Sequence, residues 1–319
     1  MMKHIIENEY LKAEISELGA TLTKFIDKKS GTDIVLGFES DEDYLKYSGC
    51  NIGASIGRNA NRIGNACFEL NGKKYQLSVN NNMNQLHGGG VNGFAYKMWK
   101  TEKADENEVV LSYFSKDGEE GFPGNLNAEV SYRLDGRNLI FSFRGESDED
   151  TIFNMTNHSY FNLGDEDIME ESLYISSDRY APVDEYSLTL DEVRDTEDTP
   201  YDFSRFTKLK DNLSQLKDGI DNNYVWEDME DKLMASLRNE KLQLNVWSDL
   251  PDMHLYTSQH LGGQEGKYGK TYYPFLALCL ECQYFPNGIN YKDHYLLPIL
   301  KKGEPMSHYI RYELLNTEE

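Results

Sequence analysis

Residues 135–143 read DGRNLIFSF, a turn dipeptide followed by apolar residues at every second position. Asp135-Gly136 is a strong turn signal, because these residues accept the backbone conformations that tight turns need. Leu139, Phe141 and Phe143 then recur with a period of two, which is the pattern of a half-buried β-strand. The segment therefore predicts a strand that directly follows a turn.

The same alternation after turns recurs along the chain. The alternating residues of two further segments are Tyr75, Leu77 and Val79, after the turn Asn71-Gly72, and Leu242, Leu244 and Val246. Many short alternating strands between turns indicate an antiparallel sandwich or barrel. No alternation of strands with helices runs through the sequence, which argues against a doubly wound sheet.

Helix signals are few and short. Ser40 followed by Asp43 is a capping pair for the segment DEDYLKY, and residues 204–216 have room for one or two helical turns. The acidic runs 166–171 and 191–198 are interpreted as solvated loops. The 319 residues contain no internal repeat, linker or break in composition, so we expect a single all-β domain spanning 1–319, which is an ordinary size for such domains.

The charge balance limits the partners. The net charge is −23, from 32 basic and 55 acidic residues, and such a field repels nucleic acid and anionic membrane surfaces. The negative charge also disfavours binding of a phosphorylated substrate, unless the site has a local basic pocket. No run reaches the roughly 18 apolar residues of a membrane span, and the N-terminus does not resemble a signal peptide.

The four cysteines predict structural thiols. Cys50, Cys67, Cys279 and Cys282 are too few and too unevenly spaced for a disulfide framework. The single C-x-x-C lacks the second pair that a zinc site needs, and it lies in an apolar run instead of at the start of a helix. We therefore expect a reducing, cytoplasmic location.

The first candidate for chemistry is Glu281, inside the apolar run FLALCLECQYF at 275–285. Alternation places Cys279 and Glu281 on one face of this strand, and Leu280 and Cys282 on the other. Burying a carboxylate is costly, and desolvation raises its pKa toward the range of a general base. An inward-facing structural charge is an equally weighted alternative at this point.

The second candidate is the polar segment NMTNHSYFNLG at 154–164. In an extended strand, His158, Tyr160 and Asn162 share one face. A histidine beside a tyrosine and amides can be held in one orientation, as a proton donor requires. A lone histidine is more often structural, but the density of polar residues here favours function.

Three further segments are weaker signals. GRNANRI (57–63) reads, by itself, as a surface turn with ordinary salt bridges, and GIDNNY (219–224) as an Asx-type turn. NNNMNQLHGGG (80–90) places His87 among glycines that allow close backbone approach. Together these segments supply the Asn, Arg, His, Asp and aromatic residues that bind sugar hydroxyls and stack on sugar faces.

No other chemistry has a comparable signal. The sequence shows no convincing metal spacing, no dinucleotide fingerprint and no serine nucleophile elbow. We therefore expect neither cofactor nor metal.

Taken in order, these segments resemble the aldose 1-epimerase (galactose mutarotase) family. The resemblance covers most of the chain, from about Gly19 onward, and TNHSYFNLG is its most specific part. The motifs are GRNANRI followed by FELNGKKYQLSVNN, QLHGG followed by GFAYKMW, and then DGEEGFPGNL, TNHSYFNLG, GIDNNYV and LECQYFPNGIN. The resemblance implies a large antiparallel β-sandwich of the supersandwich type.

The resemblance also implies roles for individual residues. His158 matches the family's general acid and Glu281 its general base, acting without a cofactor on a free monosaccharide. The implied sugar-binding residues are Asn61, Arg62, His87, Tyr160 and Asp221. Arg58 matches the first arginine of its motif, where a structural role is as plausible as ligand contact. His254 departs from the family's usual Gln, which leaves the sugar preference open.

Several alternatives stay open on the sequence. A glycosidase would need a second well-placed carboxylate, and a hexose-phosphate epimerase a cluster of arginines. A non-catalytic sugar-binding or regulatory protein on the same fold is a further alternative, against which the presence of both His158 and Glu281 weighs. The sequence is compatible with a monomer or a homodimer.

Overall fold

The computed structural model describes residues 2–292, 294 and 296–317. Over these residues the chain forms 26 strands, two short α-helices and six 3-10 helices. The strands are β1 (Lys3–Glu7), β2 (Leu11–Ser16), β3 (Thr21–Asp27), β4 (Ser55–Ile56), β5 (Arg62–Ile63), β6 (Cys67–Leu70), β7 (Lys73–Gln76), β8 (Gln85–Leu86), β9 (Lys100–Ala104), β10 (Glu108–Ser115), β11 (Leu126–Asp135), β12 (Asn138–Ser147), β13 (Thr151–Ile152), β14 (Thr156–Asn157), β15 (Tyr160–Phe161), β16 (Ser172–Ile175), β17 (Arg179–Ala181), β18 (Arg194–Asp195), β19 (Thr207–Lys208), β20 (Asp221–Val225), β21 (Lys232–Arg238), β22 (Leu242–Ser248), β23 (Asp252–Tyr256), β24 (Leu278–Gln283), β25 (Ile299–Leu300) and β26 (Met306–Asn316). The α-helices are α1 (Asp41–Lys46) and α2 (Leu209–Leu213), and the 3-10 helices are Ser48–Cys50, Gly64–Ala66, Phe94–Tyr96, Glu119–Gly121, Lys267–Gly269 and Gly288–Asn290.

Two large sheets dominate this architecture. One has nine strands in the order β19-β16-β21-β22-β26-β12-β11-β10-β9, and the other has six in the order β15-β24-β23-β20-β17-β18. A three-stranded sheet, β1-β2-β3, and four two-stranded pairs complete the set. The two large sheets pair their strands antiparallel throughout, which confirms the predicted antiparallel all-β class.

The two large sheets pack face to face. Tyr132 and Leu244 from the nine-stranded sheet share one buried cluster with Met253 and Leu280 from the six-stranded sheet. The rings of Phe161 and Tyr312, one from each sheet, are 5.2 Å apart. Inner faces that interdigitate in this way define a β-sandwich.

The DGRNLIFSF segment folds as predicted. Asp135 pairs with Asn138 at the hairpin between β11 and β12, and Gly136 adopts a positive φ of 56°, which glycine tolerates without strain. Leu139, Phe141 and Phe143 lie buried in the main core.

The other alternating segments are confirmed in part. Leu242, Leu244 and Val246 are buried on β22. The strand predicted to reach Val79 instead ends at Gln76, and Val79 is exposed. The reason is that the backbone leaves the hairpin there, since the amide of Leu77 donates to Ala66 and that of Ser78 to Glu120.

The helix predictions are confirmed. The Ser40 hydroxyl accepts from the Asp43 amide at 3.2 Å and caps α1, and α2 lies within 204–216. None of the helices in the described ranges is both long and apolar enough to cross a membrane.

The prediction that both acidic runs are solvated loops is wrong for one of them. The run 191–198 is largely exposed, as expected. Glu171, at the end of the other run, is instead fully buried and accepts a hydrogen bond from the Leu163 amide at 2.7 Å. Burial raises the pKa of Glu171 to about 8.

Candidate active site

The outer face of the six-stranded sheet carries most of the candidate residues, because antiparallel register aligns them in two rows. Residues paired directly across neighbouring strands point to the same face. One row is Tyr160, Cys279, Tyr256 and Asp221, and the next is Glu281, His254 and Asn223. The sheet therefore brings together residues that lie far apart in the chain, as the direct pairing of Tyr160 with Cys279 shows.

Glu281 lies on β24 as the alternation predicted, although the strand is shorter than expected. Its first residue is Leu278 instead of Phe275, because Phe275 has a left-handed φ of 63° that ends extended structure. Leu280 and Cys282 face the main core, while Glu281 is 1% exposed on the opposite face. Its Oε2 atom is buried and has no hydrogen-bond partner among the described residues.

His158 lies at a break between two short strands. The prediction of one continuous extended strand through this segment is wrong, since β14 ends at Asn157 and β15 begins at Tyr160. Backbone bonds hold the break in place, with the His158 amide donating to Ala54 at 3.0 Å and the Gly53 amide donating to His158 at 2.8 Å. The His158 ring stacks on Tyr160 with centroids 5.2 Å apart, which fixes the plane of the imidazole.

The segment GRNANRI is buried, so its interpretation as a surface turn is wrong. Arg62 on β5 pairs with Leu86 on β8, which brings Asn61 and Arg62 beside His87. Gly88 allows the two segments to come this close, because a Cβ at this position would lie 2.0 Å from the carbonyl oxygen of Gly57. A close backbone contact of this kind requires glycine.

Arg58, in the same segment, is structural. It is 1% exposed and donates six hydrogen bonds, for example to the carbonyls of Pro123 at 2.8 Å and Gly124 at 2.9 Å. Its guanidinium ties β10 to the loop before β11, away from the candidate site.

Asp221 begins strand β20, so the interpretation of GIDNNY as only an Asx turn is also wrong. One oxygen of its carboxylate is hydrogen-bonded to His254 Nε2 at 2.7 Å. The other oxygen lies 3.6 Å from a guanidinium nitrogen of Arg62. Burial acts to raise the pKa of Asp221, but the His254 hydrogen bond and the neighbouring positive charge outweigh it, so this pKa lies well below its usual range. Asp221 is therefore a fixed carboxylate held between two basic groups.

All eight residues proposed from the sequence line a single cavity of about 190 Å³. They are Asn61, Arg62, His87, His158, Tyr160, Asp221, His254 and Glu281. Their convergence from six separate segments supports a shared site, while the role of each residue remains a prediction.

Sequence reasoning missed several neighbours of this site. Tyr256 and His260 also line the cavity, and Asn81 accepts from Arg62 Nε at 3.2 Å. Tyr256 follows His254 by two positions, so alternation along β23 could have placed it on the same face. Asn81 offers no comparable signal, because it depends on how a loop folds back.

The central pair of the cavity is His158 and Glu281, whose Nε2 and Oε1 atoms are 3.7 Å apart. Burial raises the pKa of Glu281 well above its usual value, and Asp221 raises it further. Burial also lowers the pKa of His158 to about 4. Both shifts favour the uncharged form of their group, so the pair is described as a carboxylic acid facing a neutral imidazole, with one exchangeable proton between them.

His87 is arranged as a hydrogen-bond donor. Its Nδ1 atom accepts from the Asn61 amide at 3.2 Å, and burial keeps its pKa well below the usual value. A neutral imidazole that accepts at Nδ1 carries its proton on Nε2. That N–H is available to a ligand oxygen, such as a sugar hydroxyl.

The same tautomer bears on metal binding. His87, His158 and Glu281 place possible donor atoms within 4.8 Å of one another. A metal needs a free lone pair on each histidine, yet on His87 one nitrogen accepts a backbone N–H and the other carries the proton. A metal could bind there only by displacing that backbone hydrogen bond.

The fold and the site together match a known class of protein. The chain superposes on the solved structure of an aldose epimerase homologue from C. elegans with a TM-score of 0.93 and 29% identity, over 99% of both chains. The galactose 1-epimerase structure from Lactobacillus acidophilus gives a TM-score of 0.86 and 27% identity, over 98% of this chain and 93% of the other. The architecture is thus a galactose mutarotase-like β-sandwich.

Sequence comparison agrees over the full length. The family model described as aldose 1-epimerase matches residues 2–313. The chain is 35% identical to galactose mutarotase from Bos taurus, over 96% of this chain and 92% of that one. It is 33% identical to aldose 1-epimerase from Escherichia coli K12, over 97% and 93%. The chain belongs to the aldose 1-epimerase family, and so to the isomerase class of enzymes.

Proposed function

We propose that this protein interconverts the α and β anomers of a free aldose of the galactose or glucose type, by acid–base opening and closing of the sugar ring. The observation that carries this proposal is the buried pair of His158 Nε2 and Glu281 Oε1, 3.7 Å apart across a polar cavity. Two proton-transfer groups on a cavity lined by hydrogen-bonding residues are what ring opening needs.

In the reaction, Glu281 acts as the general base and His158 as the general acid. The Glu281 carboxylate takes the proton of the anomeric hydroxyl while the His158 imidazolium protonates the ring oxygen. The C1–O5 bond breaks to give the open aldehyde, C1 rotates about the C1–C2 bond, and closure in the reverse sense gives the other anomer. The pair gains no net proton over the cycle, so one shared proton suffices.

The proton distribution that burial favours in this pair is compatible with the mechanism. The carboxylic acid–imidazole form and the carboxylate–imidazolium form contain the same number of protons and differ only by transfer between Oε1 and Nε2. Sugar hydroxyls entering the cavity supply hydrogen bonds that stabilise the charged form. Each positioned proton transfer contributes about 10²–10⁴-fold to the rate.

The surrounding residues are proposed to hold the sugar. Asn61, Arg62, His87, Asp221 and His254 supply hydrogen-bond donors and acceptors, and Tyr160 supplies an aromatic face. His254 is hydrogen-bonded to Asp221 through Nε2. Its buried Nδ1 atom has no partner among the described residues, and this atom is where the ring differs from a glutamine amide. The sugar preference is therefore proposed to depend on His254.

We also propose an oligomeric state and a cellular location for the protein. One chain supplies all eight site residues, so a monomer is sufficient and a homodimer is compatible. Four free thiols suit a reducing cytoplasm. No cofactor is proposed, because the acid–base pair supplies both proton transfers.

A panel of free aldoses tests the function. Freshly dissolved α-galactose, α-glucose and xylose are expected to reach their equilibrium rotation faster with the protein than in buffer alone, with different rates among the sugars. Polarimetry measures this directly, and heat-inactivated protein provides the blank. Sugar binding without any acceleration would instead support a non-catalytic sugar-binding protein.

The panel also separates the rival enzymes. Glu281 and Asp221 are two carboxylates on one cavity, as a glycosidase requires, but Asp221 is already engaged by His254 and Arg62. Arg62 is the single arginine among the described residues that line the cavity, which disfavours a sugar phosphate. Release of reducing sugar from a glycoside, or faster turnover of a hexose phosphate, would contradict the proposal.

The pH profile of kcat/KM is expected to be bell-shaped. Below about pH 4, where His158 becomes protonated, the pair holds two protons and Glu281 cannot act as a base. Above the raised pKa of Glu281 the pair has lost its last proton and lacks an acid. The plateau is therefore expected to extend on the acidic side well below the usual histidine pKa of about 6.5.

Initial polarimetric rates, corrected for the spontaneous reaction at each pH, measure this profile. Because kcat/KM reports the free enzyme, its limbs belong to the pair as a whole. Tryptophan fluorescence at each pH checks that the protein is still folded. An acidic limb near 6.5 in folded protein would show that His158 is not desolvated and would contradict the interpretation.

A further inference from the structure

Behind the imidazole of His158 lies a cysteine thiol. The Cys279 sulfur is 3.5 Å from His158 Nδ1, on the opposite side of the ring from Nε2, which faces Glu281. Both Cys279 and His158 are buried. The ring thus lies between two side chains of the same strand, a sulfur at one nitrogen and a carboxyl group at the other.

Strand geometry sets this arrangement. Cys279 and Glu281 are two residues apart on β24 and share one face, so they are separated by about 7 Å along the strand. His158 reaches this face from the break between β14 and β15. One strand therefore carries both the proposed base and a group in contact with the proposed acid, in a spacing that the pleat fixes.

The hydrogen-bond pattern indicates which nitrogen carries the resting proton. Glu281 faces Nε2 and burial favours its protonated form, so Nε2 of the neutral imidazole is the acceptor toward the carboxylic acid and Nδ1 carries the ring proton. Burial raises the pKa of the Cys279 thiol well above its usual value, so the sulfur is uncharged. A neutral sulfur is a weak acceptor, which can orient an N–H without strongly stabilising the imidazolium.

We propose that Cys279 is a positioning residue whose sulfur accepts a hydrogen bond from His158 Nδ1–H and so keeps Nε2 directed at Glu281 and the sugar. This inference rests on the proposed function, because it concerns the acid of that reaction. Tyr160, stacked on the ring, fixes its plane, whereas Cys279 fixes which nitrogen faces the substrate. The thiol takes no part in proton transfer itself.

A purely structural role for Cys279 is the competing explanation, since the residue also packs in an apolar cluster. Cys282 is a matched control. It lies three residues further along the same strand, is equally buried at 0% exposure, and packs in the main core on the opposite face. Replacing either cysteine by alanine removes the same volume, but only one of the two touches His158.

The test compares Cys279→Ala, Cys279→Ser and Cys282→Ala by polarimetry. Cys279→Ala is expected to lower kcat roughly five-fold, the value of one modest hydrogen bond, with KM nearly unchanged. Cys279→Ser is expected to restore most of kcat and to move the acidic limb of the pH profile upward, since a hydroxyl is a stronger acceptor for the imidazolium. Cys282→Ala is expected to keep the wild-type kcat and acidic limb.

Equal effects of Cys279→Ala and Cys282→Ala on kcat, or an acidic limb unmoved in Cys279→Ser, would overturn the proposal. A second measurement does not depend on activity. Two-dimensional NMR that correlates the ring protons and nitrogens of ¹⁵N-labelled histidine reports which nitrogen is protonated, with His158→Asn identifying the signal. We expect His158 to be protonated at Nδ1 in wild type and to mix tautomers in Cys279→Ala.

The two proposals can fail separately. Absence of mutarotation in the wild type would remove the proposed function, yet the tautomer measurement would still report the Cys279 contact. Conversely, an active wild type with the same His158 tautomer in all three cysteine variants would remove only the positioning role.

Discussion

Replacing Glu281 by Gln is expected to lower the rate of mutarotation roughly 10²-fold or more. Glutamine keeps the shape of the side chain but cannot exchange a proton, so the anomeric hydroxyl would lose its proposed base. Because the Glu281 side chain is buried and Oε2 has no hydrogen-bond partner, an uncharged amide is not expected to unfold the protein. Polarimetric kcat and far-UV circular dichroism measure the two effects.

Glu171 provides a matched control for this substitution. It is also fully buried, with a pKa raised to about 8 by burial and an Oε2 atom without a partner. It bonds the Leu163 amide and does not line the cavity. Glu171→Gln is expected to leave kcat near the wild-type value, and near-normal activity in Glu281→Gln would remove Glu281 from the mechanism.

His158→Asn is the reciprocal variant, with an expected loss of similar size. In the proposed mechanism the two groups exchange one proton and act as a unit, so their effects are not expected to add. The double variant should therefore be only slightly slower than the worse single variant. Losses that multiply in full would mean that His158 and Glu281 act in independent steps.

The sequence predicted the fold class well, because alternation and turn chemistry are local. Strand β12 is predicted by Leu139, Phe141 and Phe143 without information from any other strand, and α1 is predicted by its capping residue Ser40. The alternation in 278–283 also assigns Glu281 to the face opposite Leu280, as observed. The local pattern does not predict the residues at which strands begin and end. Strand β24 begins only after Phe275, whose φ is 63°, and β7 ends at Gln76, where the next amides bond to Ala66 and Glu120; the residue types signal neither.

The site was harder to predict because its partners are distant in sequence. Asp221 looked like a turn residue since its partner His254 lies 33 positions away and meets it only through the register of β20 and β23. Cys279 was interpreted as a structural thiol, because the sequence does not reveal its contact with His158, which lies between β14 and β15, 121 positions earlier. The family resemblance supplied the proposed catalytic pair, and the geometry supplies the reason, burial, why the pKa of Glu281 is raised and that of His158 lowered.

Arg58 and Arg62 show the same limit within a single motif. They are four residues apart in GRNANRI, and nothing in the segment itself separates their roles. In the structure, Arg58 points into the protein, where its side chain is 1% exposed, and Arg62 points into the cavity beside Asp221. The difference follows from the β5–β8 pairing, which turns the second arginine toward His87.

Arg58→Met is accordingly expected to lower the free energy of unfolding by roughly 3–5 kcal/mol. Methionine fills much of the volume but removes the Arg58 donors from the carbonyls of Ser115, Lys116, Pro123 and Gly124. Such a loss is a large share of the roughly 5–15 kcal/mol that stabilises a typical protein. The urea midpoint, followed by tryptophan fluorescence, measures it.

Arg62→Met is the matched comparison for this prediction, because it makes the same change four residues away. Its side chain lies on the cavity, partly exposed at 12%, so its loss should raise KM for the aldose while shifting the urea midpoint far less. Arg58→Lys keeps the charge but not the fork of donors, and it is expected to fall between wild type and Arg58→Met in stability. If Arg58→Met instead kept the wild-type midpoint and raised KM, Arg58 would be a ligand contact and the structural assignment would be wrong.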